Sequence, residues 1–207
     1  FDTAGPMAFF DNESDRDVCL AILNSKLCGL LSSILNPTLH FTLGDFQNLP
    51  FLQGINSSKL YILVQEAISL AYEDWNISEL SRDFEFDPLI RGSKTIAHSW
   101  SDLNSLLNLR GQRLAAIETE INQSLIDAYD LENEFDPTAT IDGVTCVRPN
   151  READSQRLIS YAIGCMMGRY SLDEPGLIYA HAGNVGFEPG RYATFPADAD
   201  GIVPITD

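Results

Sequence analysis

The sequence predicts an α+β protein that is mostly helical. Apolar residues recur at helical spacing in several long stretches, short runs of alternating polarity lie between them, and glycine and proline punctuate the C-terminal part. We expect a buried helix followed by short strands, a long helix, a second buried helix and a loop-rich tail. The hydrophobic content of 44% is enough for the core of one large or two small domains.

The N-terminal part predicts one buried helix and a strand. Ser14 and Asp17 form a capping signal ahead of an apolar run over 18–35 that leaves little polar surface. Asn36-Pro37 ends this helix, because proline disfavours helical geometry in the residue before it. Apolar residues then alternate with threonine and histidine over 38–43, which predicts a short half-buried strand.

The next stretch predicts a second helix and an ordered loop. The helix opens at Ser57 and runs to about residue 72 or 75, with a broad apolar face. The following loop is acidic and aromatic, and we expect Trp75, Phe84 and Phe86 to fold back onto a core. Base stacking is the alternative, but the interleaved residues are acids and not lysines or arginines.

The longest regular pattern predicts a single helix over 99–131. Ser99 and Asp102 form a capping pair, and apolar residues step by threes and fours along one seam. Arg110 interrupts the seam, which favours a snorkelling or paired side chain over a DNA contact. Over 138–147, β-prone residues flank Asp142-Gly143 and predict a hairpin.

The last predicted helix, 154–170, is also expected to be largely buried. Gly164 and Gly168 lie four residues apart, a spacing that lets another helix or backbone approach closely. Arg169 at its end is suited to cap carbonyls and to interact with the negative end of the helix dipole. Contact with a phosphate is the alternative for this arginine.

Charge and cysteine content bound the function. Thirty acidic and thirteen basic residues give a net charge of −17, whereas proteins that hold DNA by its phosphates need a basic surface. Three interpretations remain open: the acidic surface lies away from DNA, the region binds proteins, or the acidity is a solvated exterior. The cysteines lack CxxC pairing, which favours reduced structural thiols and a cytoplasmic location, and no uninterrupted apolar run predicts a membrane span.

Motifs for independent catalysis are missing from the sequence. Amino-methyltransferases carry an acidic or amide residue before Pro-Pro and an aromatic residue, but Asn36-Pro37-Thr38-Leu39 lacks the second proline and the aromatic. No glycine-rich turn of nucleotide-binding spacing follows a convincing strand, and the three histidines, widely separated, predict no metal site.

Several blocks, in order, resemble one family. They are Leu23-Asn24-Ser25-Lys26, Asn36-Pro37-Thr38, the DFEFDPL run at 83–89, IDAYDL at 126–131 and, most specifically, ISYAIGCMMGRYSLD at 159–173. Together they resemble PglX, the adenine-specific DNA methyltransferase family of BREX phage-defence systems. The chain begins with Phe1 and ends without a closing element, so we expect a fragment of a longer protein.

The resemblance implies a non-catalytic part of such an enzyme, C-terminal to the methyltransferase core. It divides the chain into the end of a target-recognition region (1–55), a helical connector (56–135) and a C-terminal part (136–207). S-adenosylmethionine and methyl transfer belong to the parent chain, and double-stranded DNA is bound through it; this fragment is expected to hold no cofactor or metal. A module that docks other BREX proteins is the alternative function.

The resemblance also indicates which residues lie near DNA. Polar residues surround the family-like NPT corner, and Arg169 adds a cation at the end of the last helix. The DNA-proximal candidates are Lys26, Asn36, Thr38, His40, Gln47 and Arg169.

Overall fold

The computed structural model describes residues 7–38, 42–51, 55, 57–91, 95–181 and 185–196. Within these residues the regular structure is helical, which confirms the mostly helical prediction, and no strand is present, so the β component of the prediction is not supported. The α-helices are α1 (Glu13–Leu23), α2 (Lys26–Leu35), α3 (Leu43–Gln47), α4 (Ser57–Trp75), α5 (Ile96–Ala128) and α6 (Arg151–Met166).

The fold consists of two compact units. The first is formed by Phe1–Leu70 with Gly111–Thr145, and the second by Ala71–Arg110 with Cys146–Asp207. The predicted division at residues 55 and 135 therefore stays a prediction about function and not a description of these units.

The predicted single helix over 18–35 is two helices, α1 and α2, which meet at an angle of 71°. The break lies at Ser25, whose side chain accepts the Cys28 amide and donates to the Ile22 carbonyl, so it caps the second helix and ends the first. The cap of α1 is Asn12 and not Ser14, because the Asn12 side chain accepts the Asp15 amide.

The core of the first unit is an apolar cluster formed by α1, α2, α4 and α5. The burial prediction holds for the residues of α1 and α2 that join it, but Ile34 at the far end of α2 is 67% exposed. The buried members are Ala21, Ile22, Leu27, Leu60, Leu63, Val64, Ile117, Ile121 and Leu125.

Where it is described, the predicted strand over 38–43 is wrong; residues 39–41 lie outside the described residues. Thr42 caps α3: its side chain accepts the Asp45 amide while the Asp45 carboxylate accepts the Thr42 amide. Because of this reciprocal capping box, the end of the alternating run forms the start of a helix.

Helices α4 and α5 confirm the predicted helix that opens at Ser57 and the predicted long helix over 99–131. However, α5 begins at Ile96, so Ser99 lies inside the helix, and the Thr95 side chain accepts the His98 amide at its start. The predicted hairpin over 138–147 is wrong: Ile141–Gly143 is a turn of 3₁₀-helix, and no ladder forms around it in the described residues.

Helix α6 begins three residues earlier than predicted. The Asn150 side chain caps it by accepting the Glu152 and Ala153 amides. Its predicted burial is largely wrong, because one face is more than half exposed while the opposite face supplies buried Tyr161 and Gly164. The exposed face consists of Ile159, Ile163 and Met167.

Two apolar clusters hold the second unit together. Phe84, Tyr161 and Tyr170 form one, with Phe86 packed against it, so the predicted folding back of Phe84 and Phe86 is confirmed. Trp75 is 55% exposed, and its predicted burial is wrong. The other cluster is formed by Leu89, Leu103 and Leu107.

The four cysteines are free thiols, and burial raises the pKa of the Cys19 thiol. In the part of the chain that the structure describes, no single helix combines the length and apolarity needed to cross a membrane; α1 and α2 meet that test only when counted together across their bend.

Candidate functional site

The predicted DNA-proximal corner is closed by the Asp45 carboxylate. One of its oxygens accepts the Asn36 Nδ2 at 2.8 Å, the Thr42 amide at 2.7 Å and the Thr42 hydroxyl at 2.8 Å. The hydrogen bond from Asn36 and those from Thr42 lower the pKa of Asp45. Asn36 therefore links the end of α2 to the first turn of α3.

The corner brings two candidate residues into direct contact. The Asn36 Oδ1 accepts the Thr38 amide at 3.1 Å and the Thr38 hydroxyl at 2.7 Å. Thr38 is exposed, and Gln47 is exposed at the last position of α3. His40 lies outside the described residues.

Lys26 makes contacts elsewhere in the first unit. Its ammonium donates to the backbone carbonyls of Asp136 and Thr138, and its amide donates to the Asn122 side chain at 3.0 Å. Asn122 also donates to the Pro137 carbonyl at 3.0 Å. Lys26 thus links the start of α2 to the segment after α5.

Arg169 belongs to the second unit, whereas the other described candidates belong to the first. Its amide donates to the Gly164 carbonyl at 2.8 Å, so the backbone of this residue closes the end of α6. Its guanidinium is half exposed and lies 3.5 Å from the Glu79 carboxylate.

A cleft of about 480 Å³ lies beside Arg169. Two of its lining atoms, Glu79 Oε1 and Arg157 Nη2, are buried and have no hydrogen-bond partner among the described residues. The carboxylate of Glu79 offsets the positive potential that a phosphate would meet at Arg169. The lining residues are Ser78, Glu79, Leu80, Gln156, Arg157, Ser160 and Arg169.

A buried ionic network joins α6 to the DFEFDPL run. Arg157 donates from Nε to Asp87 at 3.2 Å and from Nη1 to Asp154 at 3.1 Å. The second oxygen of Asp154 accepts the Trp100 indole at 3.0 Å, and Asp87 also accepts the Leu89 amide at 2.9 Å. Burial raises the pKa of Asp87, and the guanidinium of Arg157 opposes that shift.

Sequence reasoning missed this network. Asp87 belongs to the DFEFDPL run, and Arg157 lies 70 residues further along the chain. No local pattern reports a pairing at that separation. Arg110, in contrast, is paired as expected: it is buried and donates to Glu73 at 3.1 Å and to Asp74 at 3.2 Å.

The block at 159–173 packs the Tyr170 ring against a glycine and a second tyrosine. Gly168 has a positive φ of 68°, so the chain reverses there and Tyr170 folds back over Gly164. The Tyr170 ring stacks on Tyr161 at 5.1 Å, and the Phe84 ring meets it edge-on at 5.5 Å. The predicted close approach at Gly164 is thus made by an aromatic ring.

Ion pairs engage most of the arginines. Pairing with a carboxylate reduces the charge that a guanidinium offers to a phosphate. Within the described residues, arginines with a carboxylate oxygen within 4 Å include Arg16, Arg91, Arg110, Arg113, Arg157, Arg169 and Arg191.

Comparison with known proteins decides the family resemblance. The whole chain aligns with the adenine-specific methyltransferase BrxX of Escherichia coli O9:H4 (strain HS) at 34% identity. It also aligns in full with the adenine-specific methyltransferase PglX of Lacticaseibacillus casei (strain Zhang) at 32% identity. The resemblance to PglX is confirmed. No protein-family model matches the chain.

The chain spans only 19% of the length of BrxX and 17% of the length of PglX. Two of the blocks that resemble PglX make structural contacts in the second unit. The run at 83–89 supplies Phe84 and Asp87, and the block at 159–173 supplies Tyr161, Gly164 and Tyr170.

Proposed function

We propose that the chain is a non-catalytic DNA-recognition and scaffold part of an adenine-specific, S-adenosylmethionine-dependent DNA methyltransferase in BREX phage defence. The observation that carries this proposal is the full-length alignment with two adenine-specific methyltransferases at 34% and 32% identity. The chain corresponds to less than a fifth of each relative. In this proposal the rest of the enzyme binds S-adenosylmethionine and transfers the methyl group.

Methyl transfer is assigned to the remainder of the enzyme. The sequence lacks the Pro-Pro-aromatic motif that holds a target amino group. The run at 36–39 matches this motif only in part, and its Asn36 side chain is hydrogen-bonded to Asp45 and Thr38. The described residues offer no strand followed by a glycine-rich turn, the usual cradle for a nucleotide-like cofactor. S-adenosylmethionine would therefore bind elsewhere in the whole enzyme.

The negative charge of the chain favours a scaffold role over direct binding of DNA phosphates. The net charge is −17, and in the part of the chain that the structure describes at least seven arginines have carboxylate neighbours. Release of counterions from DNA requires cations that are free to replace them. In this proposal the basic surface that binds the DNA backbone lies in the rest of the enzyme, and this chain positions polar groups near the bases or supports those that do.

The candidates differ in how cleanly they test DNA proximity. Substituting Lys26 or Asn36 would break contacts that hold the first unit together, so a loss of activity there would be ambiguous. Gln47 and Arg169 are exposed enough to reach a ligand. They are the informative positions.

The test measures DNA methylation by the full-length enzyme that carries this chain. We expect Gln47→Ala and Arg169→Gln to raise the KM for duplex DNA by about threefold to tenfold, the loss of one hydrogen bond or charge contact. Gln112→Ala, an exposed glutamine on α5, and Arg151→Gln, an exposed arginine at the other end of α6, are the matched controls.

Unchanged KM and kcat in both variants would reject DNA proximity at these positions. Equal losses in the variants and their controls would point to a general effect on stability. Either result would leave the scaffold role to be judged from the DNA binding of the chain itself.

A further inference from the structure

The second unit contains a larger cleft, of about 680 Å³, between the end of α4 and the start of α5. Its walls are mainly apolar and include Ile77, Phe86, Leu103 and Leu106. Leu106 is 50% exposed, so a large apolar side chain faces the cleft without full cover. A concave surface with mainly apolar walls is typical of a binding site.

Carboxylates surround this apolar wall. Glu73, Asp83, Glu85 and Asp102 line the cleft, against the guanidiniums of Arg91 and Arg110. Arg110 is buried and paired with Glu73 and Asp74, so it contributes little free positive charge. Asp102 is exposed and has no ion pair among the described residues.

The cleft already holds one guanidinium of the chain itself. The guanidinium of Arg91 lies 3.9 Å from the centre of the Phe86 ring and 3.1 Å from the Glu85 carboxylate. Its side chain is 57% exposed. An aromatic face beside a carboxylate is thus a setting in which this cleft accepts a cation.

We propose that this cleft docks a basic amphipathic segment of a partner protein. The apolar side chains of this segment pack against Leu103 and Leu106. Its lysines or arginines lie close to the carboxylates of Glu85 and Asp102. Charge selects this occupant. The four carboxylates of the cleft outnumber its two guanidiniums, which disfavours DNA and RNA phosphates, and a second copy of this chain would bring a further charge of −17. The proposal is independent of the DNA-recognition function.

The test uses the full chain and a fluorescein-labelled helical peptide of leucine, lysine and alanine. A matched peptide with glutamate in place of every lysine is the negative probe. Fluorescence anisotropy and heteronuclear NMR shifts then report affinity and the residues that respond. We expect the lysine peptide to bind with shifts centred on Leu106 and Asp102, and the glutamate peptide not to bind.

Matched substitutions separate docking from general attraction to an acidic protein. Leu106→Ser should weaken peptide binding about tenfold, whereas Leu109→Ser, 62% exposed on the same helix but outside the cleft, should leave it unchanged. Asp102→Asn should weaken it about threefold, and Asp11→Asn, an exposed aspartate of the first unit, should not. Far-UV circular dichroism confirms that each variant is folded.

Equal effects of the cleft variants and their controls would overturn the proposal, because the peptide would then bind by net charge alone. It would also be overturned if a duplex oligonucleotide bound the cleft more tightly than the peptide. Self-association that is lost in Leu106→Ser would overturn it as well, in favour of an interface between copies.

Discussion

Substitution of Gly164 by alanine tests the packing of the 159–173 block. A Cβ at this position would lie 2.4 Å from Tyr170 Cδ2 and 2.6 Å from Cε2. Carbon atoms pack best at about 3.5–4.0 Å, so the Tyr170 ring would have to move by about 1 Å. The ring is buried and is held between Gly164, Tyr161 and Phe84.

The expected loss of stability follows from three contributions. Overpacking costs about 1–3 kcal/mol, and disturbing each aromatic pair costs up to about 0.5–1.5 kcal/mol. Replacing glycine by alanine inside a helix returns about 0.5–1 kcal/mol. The net result for Gly164→Ala is a free energy of unfolding lower by about 1–5 kcal/mol.

Urea unfolding followed by circular dichroism measures this change. Gly29→Ala in α2 is the matched control, because a Cβ there meets nothing within 4 Å, and it should raise stability by about 0.5–1 kcal/mol. In a Tyr170→Ala background the clash is absent, so Gly164→Ala should become stabilising. The packing argument is refuted if Gly164→Ala matches the wild type, or if its effect is the same with and without the Tyr170 ring.

Three further predictions concern charge and capping. Arg157→Gln leaves the buried Asp87 and Asp154 without their cation and should lower the free energy of unfolding by about 3–5 kcal/mol near neutral pH. This loss should shrink as acid protonates Asp87, whose pKa is raised by burial. Arg113→Gln, in an exposed ion pair, should cost at most about 1 kcal/mol. Urea titrations at several pH values compare the two. Because hydrogen bonds lower the folded-state pKa of Asp45, its stabilising effect is present above the unfolded pKa of about 3.9 and is lost as pH falls through the folded value. Hydrogen exchange of the Thr42 amide should therefore be faster in Asp45→Asn than in the wild type at neutral pH, with the difference vanishing in acid. Asn150→Ala removes the cap of α6 and should cost about 1 kcal/mol in the same urea assay; no change would show that the cap is dispensable.

Long helices were predictable because their signal repeats many times. The seam of α5 contains Leu107, Ile117 and Leu125, all buried, and one misplaced cap cannot obscure such a pattern. Helix starts were less predictable. Several polar residues near α1 could serve as the cap, and the sequence alone did not distinguish Asn12 from Ser14.

The predicted strand failed because two local signals competed. Alternation before Leu43 favours a strand, but Thr42 and Asp45 have the spacing of a capping box, and Asn36 adds a hydrogen bond to the same carboxylate. The capping signal was present in the sequence and outweighed a short alternation. The buried pairing of Arg157 with Asp87 has no such local signal, because it depends on tertiary contact.

Apolar content also overstated the burial of α6. Ile159, Ile163 and Met167 recur at helical spacing like core residues, yet each is more than half exposed. Hydrophobic periodicity identifies an apolar face but not what covers it. The candidate DNA-proximal residues share this limit, since their proximity depends on a ligand and on the rest of the enzyme.

The central claim is that this chain supports recognition without holding DNA by its phosphates. Anisotropy of a labelled DNA duplex, titrated with the chain alone across a salt series and with the full-length methyltransferase plus S-adenosylmethionine in parallel, tests it most directly. Each neutralised phosphate contributes a slope of about −0.9 in log affinity against log salt. The account predicts a steep slope for the full-length enzyme and no measurable binding for the chain alone; tight binding by the chain with an equally steep slope would contradict it.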